Sequence, residues 1–532
     1  RPDSARGLAR AAIVVDSLRA AHPGQVVLVD AGDLFQGNPL TYVAARVEPQ
    51  PVHPVIAAMN VLRYDAATIG NHEFNYGVPA WERAMGQANF PFLAGNVIAR
   101  DGAQRYPGVV TITRHGLRVA IIGATTPGSM VWDRANLAQD GITIRDIVPY
   151  VREAVARVRG THDLVVVVLH SGLGGPSSYD QITSGAGPEN VAGVVASDVP
   201  GVDLVVVGHS HREVVDSLVG NTLIVQPRHW AGSVAVARFG VTRVAGRWRI
   251  DTRRGESITL NRVRESPAVI SATLEAHERT VRWVRAPLGR TAVAWRSDSA
   301  RVADVPIIDF MLEVMRRTAG ADLAATAAFS LDAVFEPGPI TMAQLAQLYP
   351  YDNTLRAIRV SGAQLRAYLE HSSRYYRTLQ ADGSAPAGGI VDTDVPGYNF
   401  DIVSGAEYVI DLARPIGQRV TTLRWNGRDI AGTDSFTLAL NNYRAEGGGG
   451  FSMLSGARTV YDEGRDIRDL LVEEIRRVGT LDPRAYAKLN WRLEPAIGVS
   501  LGLEASTGAR GAEGRGASTV PPVSDEPRGA RR

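Results

Sequence analysis

Five short β-branched runs punctuate the first half of this chain, at residues 26–29, 67–69, 118–122, 164–169 and 204–207, and each stops at a polar or glycine-rich loop. Segments with apolar residues on a helical period fall between them, at 8–20, 54–62, 78–88 and 147–158. Strand, loop and helix in that order predict a layered α/β domain, in which ligands bind at the carboxyl ends of the strands. Four of those ends carry chemistry: Gly32-Asp33, Gly70-Asn71-His72-Glu73, His170-Ser171-Gly172 and Gly208-His209-Ser210-His211.

Asp33 follows its run directly, where one carboxylate can bridge two cations. Asn71 and His72 expose an amide oxygen beside an imidazole, and His170 closes a third run. His209 and His211 are two apart on a segment expected to be extended, which would point both rings to one side. Each residue taken singly has an ordinary explanation as a turn or capping group. Four such ends converging on one cleft do not, because clustered His and Asp would lose hydration and repel one another without a cation. With no cysteine in the chain, any metal must be held by His, Asp, Asn and Glu.

At 532 residues, 45% hydrophobic and 21% charged, the chain is too long for one ordinary domain. A net charge of +2, with no basic run interleaved with aromatics, disfavours a nucleic-acid polymer as partner. No apolar run reaches the roughly 18 residues of a membrane helix. Residues 267–284 read as one helix ahead of Pro287-Leu288-Gly289, a natural interdomain connector. A second α/β region follows, with helices expected at 305–318, 342–348 and 362–376 and strands at 355–360 and 436–440. Past Leu503 the composition turns to Gly, Ala, Arg, Ser and Pro, which reads as a disordered tail. Gly447 to Gly450 lacks the Lys-Ser or Lys-Thr of a phosphate loop and reads instead as backbone approaching a base or sugar.

Further motifs stand in a recognisable order: Gly32-Asp33-Leu34-Phe35-Gln36-Gly37, Gly70-Asn71-His72-Glu73-Phe74-Asn75-Tyr76-Gly77, Thr125-Thr126-Pro127 with Trp132-Asp133, and Gly208-His209-Ser210-His211. Later come Tyr349-Pro350-Tyr351-Asp352-Asn353-Thr354-Leu355, Tyr398-Asn399-Phe400-Asp401 and Asn441-Asn442-Tyr443-Arg444-Ala445. The early segments resemble the calcineurin-like metallophosphoesterases. From Gly7 to Leu493 the chain is similar to the 5'-nucleotidase superfamily, most of all to its 2',3'-cyclic-nucleotide 2'-phosphodiesterase/3'-nucleotidase branch.

The resemblance implies a metallophosphoesterase domain over residues 1–264, a linker helix over 265–286, a nucleotide-binding α/β domain over 287–500 and a tail over 501–532. It implies two divalent ions, Mn, Zn, Co or Fe, spaced roughly 3.5–4 Å apart to clamp a phosphate and activate a hydroxide. Asp33 would bridge them, Asn71, His170 and His209 would complete one site, and His211 would belong to the other. His72 would be the catalytic histidine that meets the phosphoryl group. Tyr351 and Tyr443 would sandwich the base, with Asn353 as a polar contact beside them. The expected substrate is a small nucleotide, and the expected protein a monomer working in the periplasm or at the cell surface.

Three departures bear on this reading. Where the 5'-nucleotidase branch carries a substrate-contacting arginine, this chain has Ser330-Leu331-Asp332, whose acid would repel a phosphate and favours the cyclic and 3' branch. The family's aspartate partner for the catalytic histidine is Asn75 here, which cannot anchor His72 as a charge partner, although the 3'-nucleotidase branch reads the same way. An Asp-x-His strand, expected ahead of Gly7, is not in the chain, which begins at Arg1 and reads as having lost an upstream segment. That loss would leave Asp33 and His211 alone at the second metal and expose a strand flank. A non-catalytic nucleotide-binding fragment is therefore the alternative from a different class, and a 5'-nucleotidase or UDP-sugar hydrolase the alternative within enzymes.

Overall fold

The structure, a computed structural model, describes residues 5–49 and 51–495. The expected tail at 501–532 lies outside the described residues. Among those described, no helix is long and apolar enough to cross a membrane.

The first domain is two sheets packed face to face. Val29–Asp30, Ala66–Thr68 and Phe92–Leu93 form a short, all-parallel sheet. The larger sheet runs, in spatial order, Val214–Val219, Thr222–Gln226, Leu204–Val207, Leu164–His170, Leu117–Thr125 and Val109–Arg114. Its middle is parallel and both edges are antiparallel. Leu164–His170 is buried along its whole length, so it reads as continuous apolar sequence rather than as an alternation. Val166 and Val168 pack against Ala66 and Leu93 between the sheets. Val165, Val167 and Leu169 face the helices Ile147–Val158 and Ala192–Asp198 on the outside. The helices Pro54–Leu62 and Val78–Met85 cover the smaller sheet through Ile56, Met59 and Trp81. At Gly123 a Cβ would lie 2.3 Å from Leu93 Cβ and 2.6 Å from Thr68 Oγ1, so the sheets approach this closely only over bare backbone.

The four donor-bearing loops therefore leave the carboxyl ends of four parallel strands, Val29–Asp30, Ala66–Thr68, Leu164–His170 and Leu204–Val207. The first strand is shorter and later than the expected 26–29, and the helix expected to reach 88 stops at Met85, ahead of Gly86. Sequence reading passed over the long hairpin Ser233–Val244 and Arg247–Thr259, which turns through Ala245 and Gly246, both at positive φ.

The helix Pro267–Arg285 leads into the second domain, as its period predicts. A five-stranded sheet orders Asp401–Ser404, Leu323–Ala327, Ser435–Asn441, Thr354–Ser361 and Thr459–Asp466. The helices Pro306–Ala319, Gly362–Ser372 and Ile467–Val478 build one continuous core with it. Gly362–Ser372 starts from a capping box between Ser361 and Gln364 and gives way to a short 3-10 turn, Ser373–Tyr375, where sequence reading had extended it to 376.

Inside this core Arg444 grips Asp401 in a bidentate pair, Nε to Oδ2 at 2.8 Å and Nη2 to Oδ1 at 3.1 Å, with both side chains 3% exposed. Its guanidinium also donates to the carbonyls of Tyr398 and Gly448, stitching residues 397–401 to 441–450. Truncating Asp401→Ala strands a buried guanidinium and should cost about 3–5 kcal/mol, read as a lower urea midpoint for the second domain.

Candidate metal centre

Glu73, 1% exposed, sets the geometry of the first two loops. Its carboxylate accepts the backbone N–H groups of Asp33 at 2.9 Å, Leu34 at 2.5 Å and Gly70. This clamp holds Asp33 at φ 67°, a left-handed conformation that a short acidic side chain tolerates. Gly70 passes so close that a Cβ there would lie 2.3 Å from Asp33 Oδ1. Burial and the neighbouring charge of Asp33 push the Glu73 carboxyl up to about 7, against the opposing pull of its backbone donors.

Asp33 presents Oδ1 to the His72 backbone N–H at 2.9 Å and turns Oδ2 toward His170 Nε2 at 3.1 Å. The amide oxygen of Asn71 lies 3.0 Å from His170 Nε2 and 3.1 Å from His209 Nδ1. The outer nitrogen of each ring is occupied. His170 Nδ1 donates to the Ala31 carbonyl at 2.7 Å, and His209 Nε2 donates to Glu189 Oε1 at 2.7 Å. Neutral imidazoles held in this way face inward with lone pairs. Asp33, Asn71, His170 and His209 are linked by contacts of 3.0, 3.1 and 3.1 Å, a spacing that fits ligands of one cation, because ligands bound at about 2.1 Å and at right angles stand about 3 Å apart. Asp33, His170 and His209 form the one cluster of three His or acidic residues with metal-holding spacing among the described residues.

The electrostatics agree. Burial alone would raise the Asp33 carboxyl, but His170, His72 and His209 overcome it and hold it well below the usual carboxylate range. Burial likewise opposes protonation of His170 and His72, yet Asp33 raises both. The carboxylate draws positive charge into this space, as protons on the rings or as a cation.

His72 has a partner chain of its own. Nδ1 lies 2.6 Å from Asn75 Oδ1, and Asn75 Nδ2 donates to Asp133 Oδ1 at 2.8 Å. The carboxylate must accept, so the amide nitrogen faces Asp133, the amide oxygen faces His72, and His72 Nδ1 is the donor. Asn75 is thus a neutral partner to His72, and its amide links the ring onward to Asp133. His72 Nε2 is left facing the cluster, 4.0 Å from Asp33 Oδ2.

His211 is placed differently from the reading of 208–211 as extended. His209 and His211 both adopt positive φ, 70° and 55°, so the segment coils instead of running extended. His211 is exposed and stacks on His229 at 4.6 Å and 14°, outside the three-residue cluster.

Across the interdomain cleft, Tyr351, Tyr398 and Tyr443 are 42%, 42% and 36% exposed, unlike the buried aromatics around them. Tyr351 rests edge-on against Phe329 at 5.1 Å. The glycine run supports Tyr443, since a Cβ on Gly448 would lie 2.6 Å from its ring carbons. Asn353 bonds through its carbonyl to the Ile467 N–H at 2.9 Å, at the root of the same loop. The two sides meet directly. Asn442 Nδ2 donates to the Trp132 carbonyl at 3.2 Å, and the Trp132 ring lies 5.6 Å from that of His209 at 30°.

Sequence reasoning missed Glu189, which the 171–190 loop delivers from far along the chain by a bond from Ser171 Oγ to the Glu189 carbonyl. It gave no role to Glu73 or Asp133, although both stand inside quoted motifs. In a thermal-shift titration with Mn(II), the unfolding temperature should rise through binding to the folded state. Asp33→Ala should abolish the rise, and Glu189→Gln should move its midpoint to about 10–100-fold higher Mn(II).

Comparison with known proteins gives this arrangement its context. Residues 5–213 match the calcineurin-like phosphoesterase family and residues 287–456 the 5'-nucleotidase C-terminal domain. The Haemophilus influenzae 2',3'-cyclic-nucleotide 2'-phosphodiesterase/3'-nucleotidase is 29% identical over 93% of this chain and 84% of its own length. The Bacillus subtilis trifunctional nucleotide phosphoesterase protein YfkN is 28% identical over 94% of this chain, which spans 38% of that relative. The fold is that of solved structures: a Staphylococcus aureus protein provisionally named a 5'-nucleotidase superposes with TM-score 0.76 at 24% identity, covering 92% of this chain and 94% of its own. A Thermus thermophilus 5'-nucleotidase precursor gives 0.59 at 22%, covering 93% and 94%. The chain thus carries a calcineurin-like phosphoesterase domain followed by a 5'-nucleotidase C-terminal domain, and the relatives above align over nearly its whole length.

Proposed function

We propose that this chain is a divalent-metal-dependent phosphoric ester hydrolase acting on 2',3'-cyclic nucleotides and 3'-nucleotides, with nucleoside and phosphate as final products. The observation that carries the reading is the meeting of two sites: exposed Tyr443 directly follows Asn442, whose amide bonds to Trp132, the wall of the donor cluster. A molecule with a flat base at one end and a phosphoryl group at the other spans such a cleft.

Asp33, Asn71, His170 and His209 would hold one ion, and Asp33 with His211 would contribute to a second. Bound there, divalent ions supply Lewis acidity toward phosphoryl oxygens and lower the pKa of water. His72, its Nδ1–H fixed by Asn75, offers Nε2 to the same space and in its protonated form donates to a phosphoryl or leaving oxygen. Tyr351 and Tyr443 stack on the base, a contact indifferent to which base is bound. Asp332, exposed where related 5'-nucleotidases would hold phosphate with arginine, favours the cyclic and 3' substrates.

Phosphate release with added Mn(II) from 2',3'-cyclic AMP (with a phosphatase), 3'-AMP and 5'-AMP tests the assignment. Release from the first two is expected. Release from 5'-AMP alone would make the protein a 5'-nucleotidase, and nucleotide binding without turnover would establish the non-catalytic reading. Tyr443→Ala should raise KM by about tenfold or more through lost stacking. Asn75→Ala should lower kcat by about a hundredfold at little change in KM, since it frees His72 without touching the base.

A further inference from the structure

Two residues inside the quoted motifs have no part in the chemistry above, and the structure joins them to each other. Tyr76 closes the segment that carries Asn71, His72 and Asn75. Asp352 stands between Tyr351 and Asn353 in the other domain. The Tyr76 hydroxyl donates to Asp352 Oδ2 at 2.7 Å across the domain boundary, although Tyr76 is only 5% exposed. Asp352 is held in turn by an ion pair with Arg468, whose guanidinium also donates to the Tyr349 and Pro350 carbonyls.

A second tyrosine repeats the contact. Tyr42 donates to Asp469 Oδ1 at 2.5 Å, stands edge-on to Tyr76 at 6.0 Å and packs on Trp283 of the connecting helix at 5.4 Å. Arg46 covers the Tyr76 ring from the first domain at 5.7 Å. The cluster is thus a buried, charge-assisted joint between the loop that orients His72 and the loop that bears a stacking ring.

We propose that Tyr76 is a positioning residue that sets the span between the base clamp and the phosphoryl centre, and so favours esters that carry a base over esters that do not. This rests on the nucleotide reading above. The physical reason is distance. A substrate gripped at both ends reacts fastest when its two binding sites are already the right length apart, and a loose joint wastes base binding on bringing the domains together. Tyr76 is suited to the task because its ring is fixed by Arg46 and Tyr42 on one domain while its hydroxyl reads the position of the other. Asp352 keeps its Arg468 partner in either case, so loss of the hydroxyl leaves no buried charge stranded.

The test compares two monoesters of secondary alcohols, 3'-AMP and glycerol 2-phosphate, the second with no base to stack. Phosphate release is followed in the full chain with Mn(II). Tyr76→Phe keeps the ring and removes only the hydroxyl. Its kcat/KM should fall about tenfold or more on 3'-AMP, the effect of one charge-assisted hydrogen bond, and stay within about twofold on glycerol 2-phosphate. Equal losses on both esters would mean that the hydroxyl merely supports the metal-bearing loop, and no loss on either would mean that the joint is inert; each result overturns the proposal. An unaltered protein that shows no preference for 3'-AMP over glycerol 2-phosphate overturns the nucleotide reading itself, before any variant is made.

Discussion

The Glu73 carboxylate is the point on which this site turns. A single buried side chain gathers three backbone N–H groups from two loops and thereby decides where Asp33 can be. Without that acceptor the donors would be buried and unpaired, each costing about 1–3 kcal/mol, and the left-handed Asp33 would have nothing to hold it. The loops are close because Gly32 and Gly70 allow it, and they stay close because Glu73 closes the bonds. Asp33 then draws His170 and His72 into its field, and the cluster follows.

Around this clamp, each inward-facing group is aimed from behind. His170 is aimed by a carbonyl, His209 by Glu189 and His72 by an amide that leads to Asp133. The three aiming groups differ in charge, and the differences would suit the roles proposed above. A neutral carbonyl and an ionised carboxylate both leave a ring with its lone pair inward. An amide between His72 and Asp133 keeps the negative charge one residue away, so His72 is oriented firmly without being locked into an ion pair. Burial pushes Asp133 up to about 6, against the hydrogen bond from Asn75, so the far end of this chain titrates closer to neutrality than an ordinary carboxylate does.

Legibility in the sequence followed burial. Strands 164–169 and 204–207 could be read because both of their faces are covered, and helices 147–158 and 342–348 because their apolar period meets a single core. Donors at strand ends were legible for the same reason, each being tied to a strand that was. What failed depended on conformation or on distant closure. The coil at His209 and His211 comes from two non-glycine residues at positive φ, which no period announces. Glu189 comes from a loop pinned only in the folded chain, and the 233–259 hairpin is exposed enough to have lost its apolar alternation to arginines. Its Ala245-Gly246 turn was the available signal.

If Tyr443 stacks on a base as proposed above, the glycine run beneath it has a consequence for how that base would be received. With peptide laid flat against one side of the ring, that side is closed, and stacking is open only from the opposite side. Contact with Gly448 also limits the positions open to the ring, so less side-chain entropy would be lost when a stack forms. A residue with a Cβ at position 448 would tilt the platform itself. The bare backbone of this loop would therefore act on such a base at one remove, as the footing on which a surface tyrosine rests.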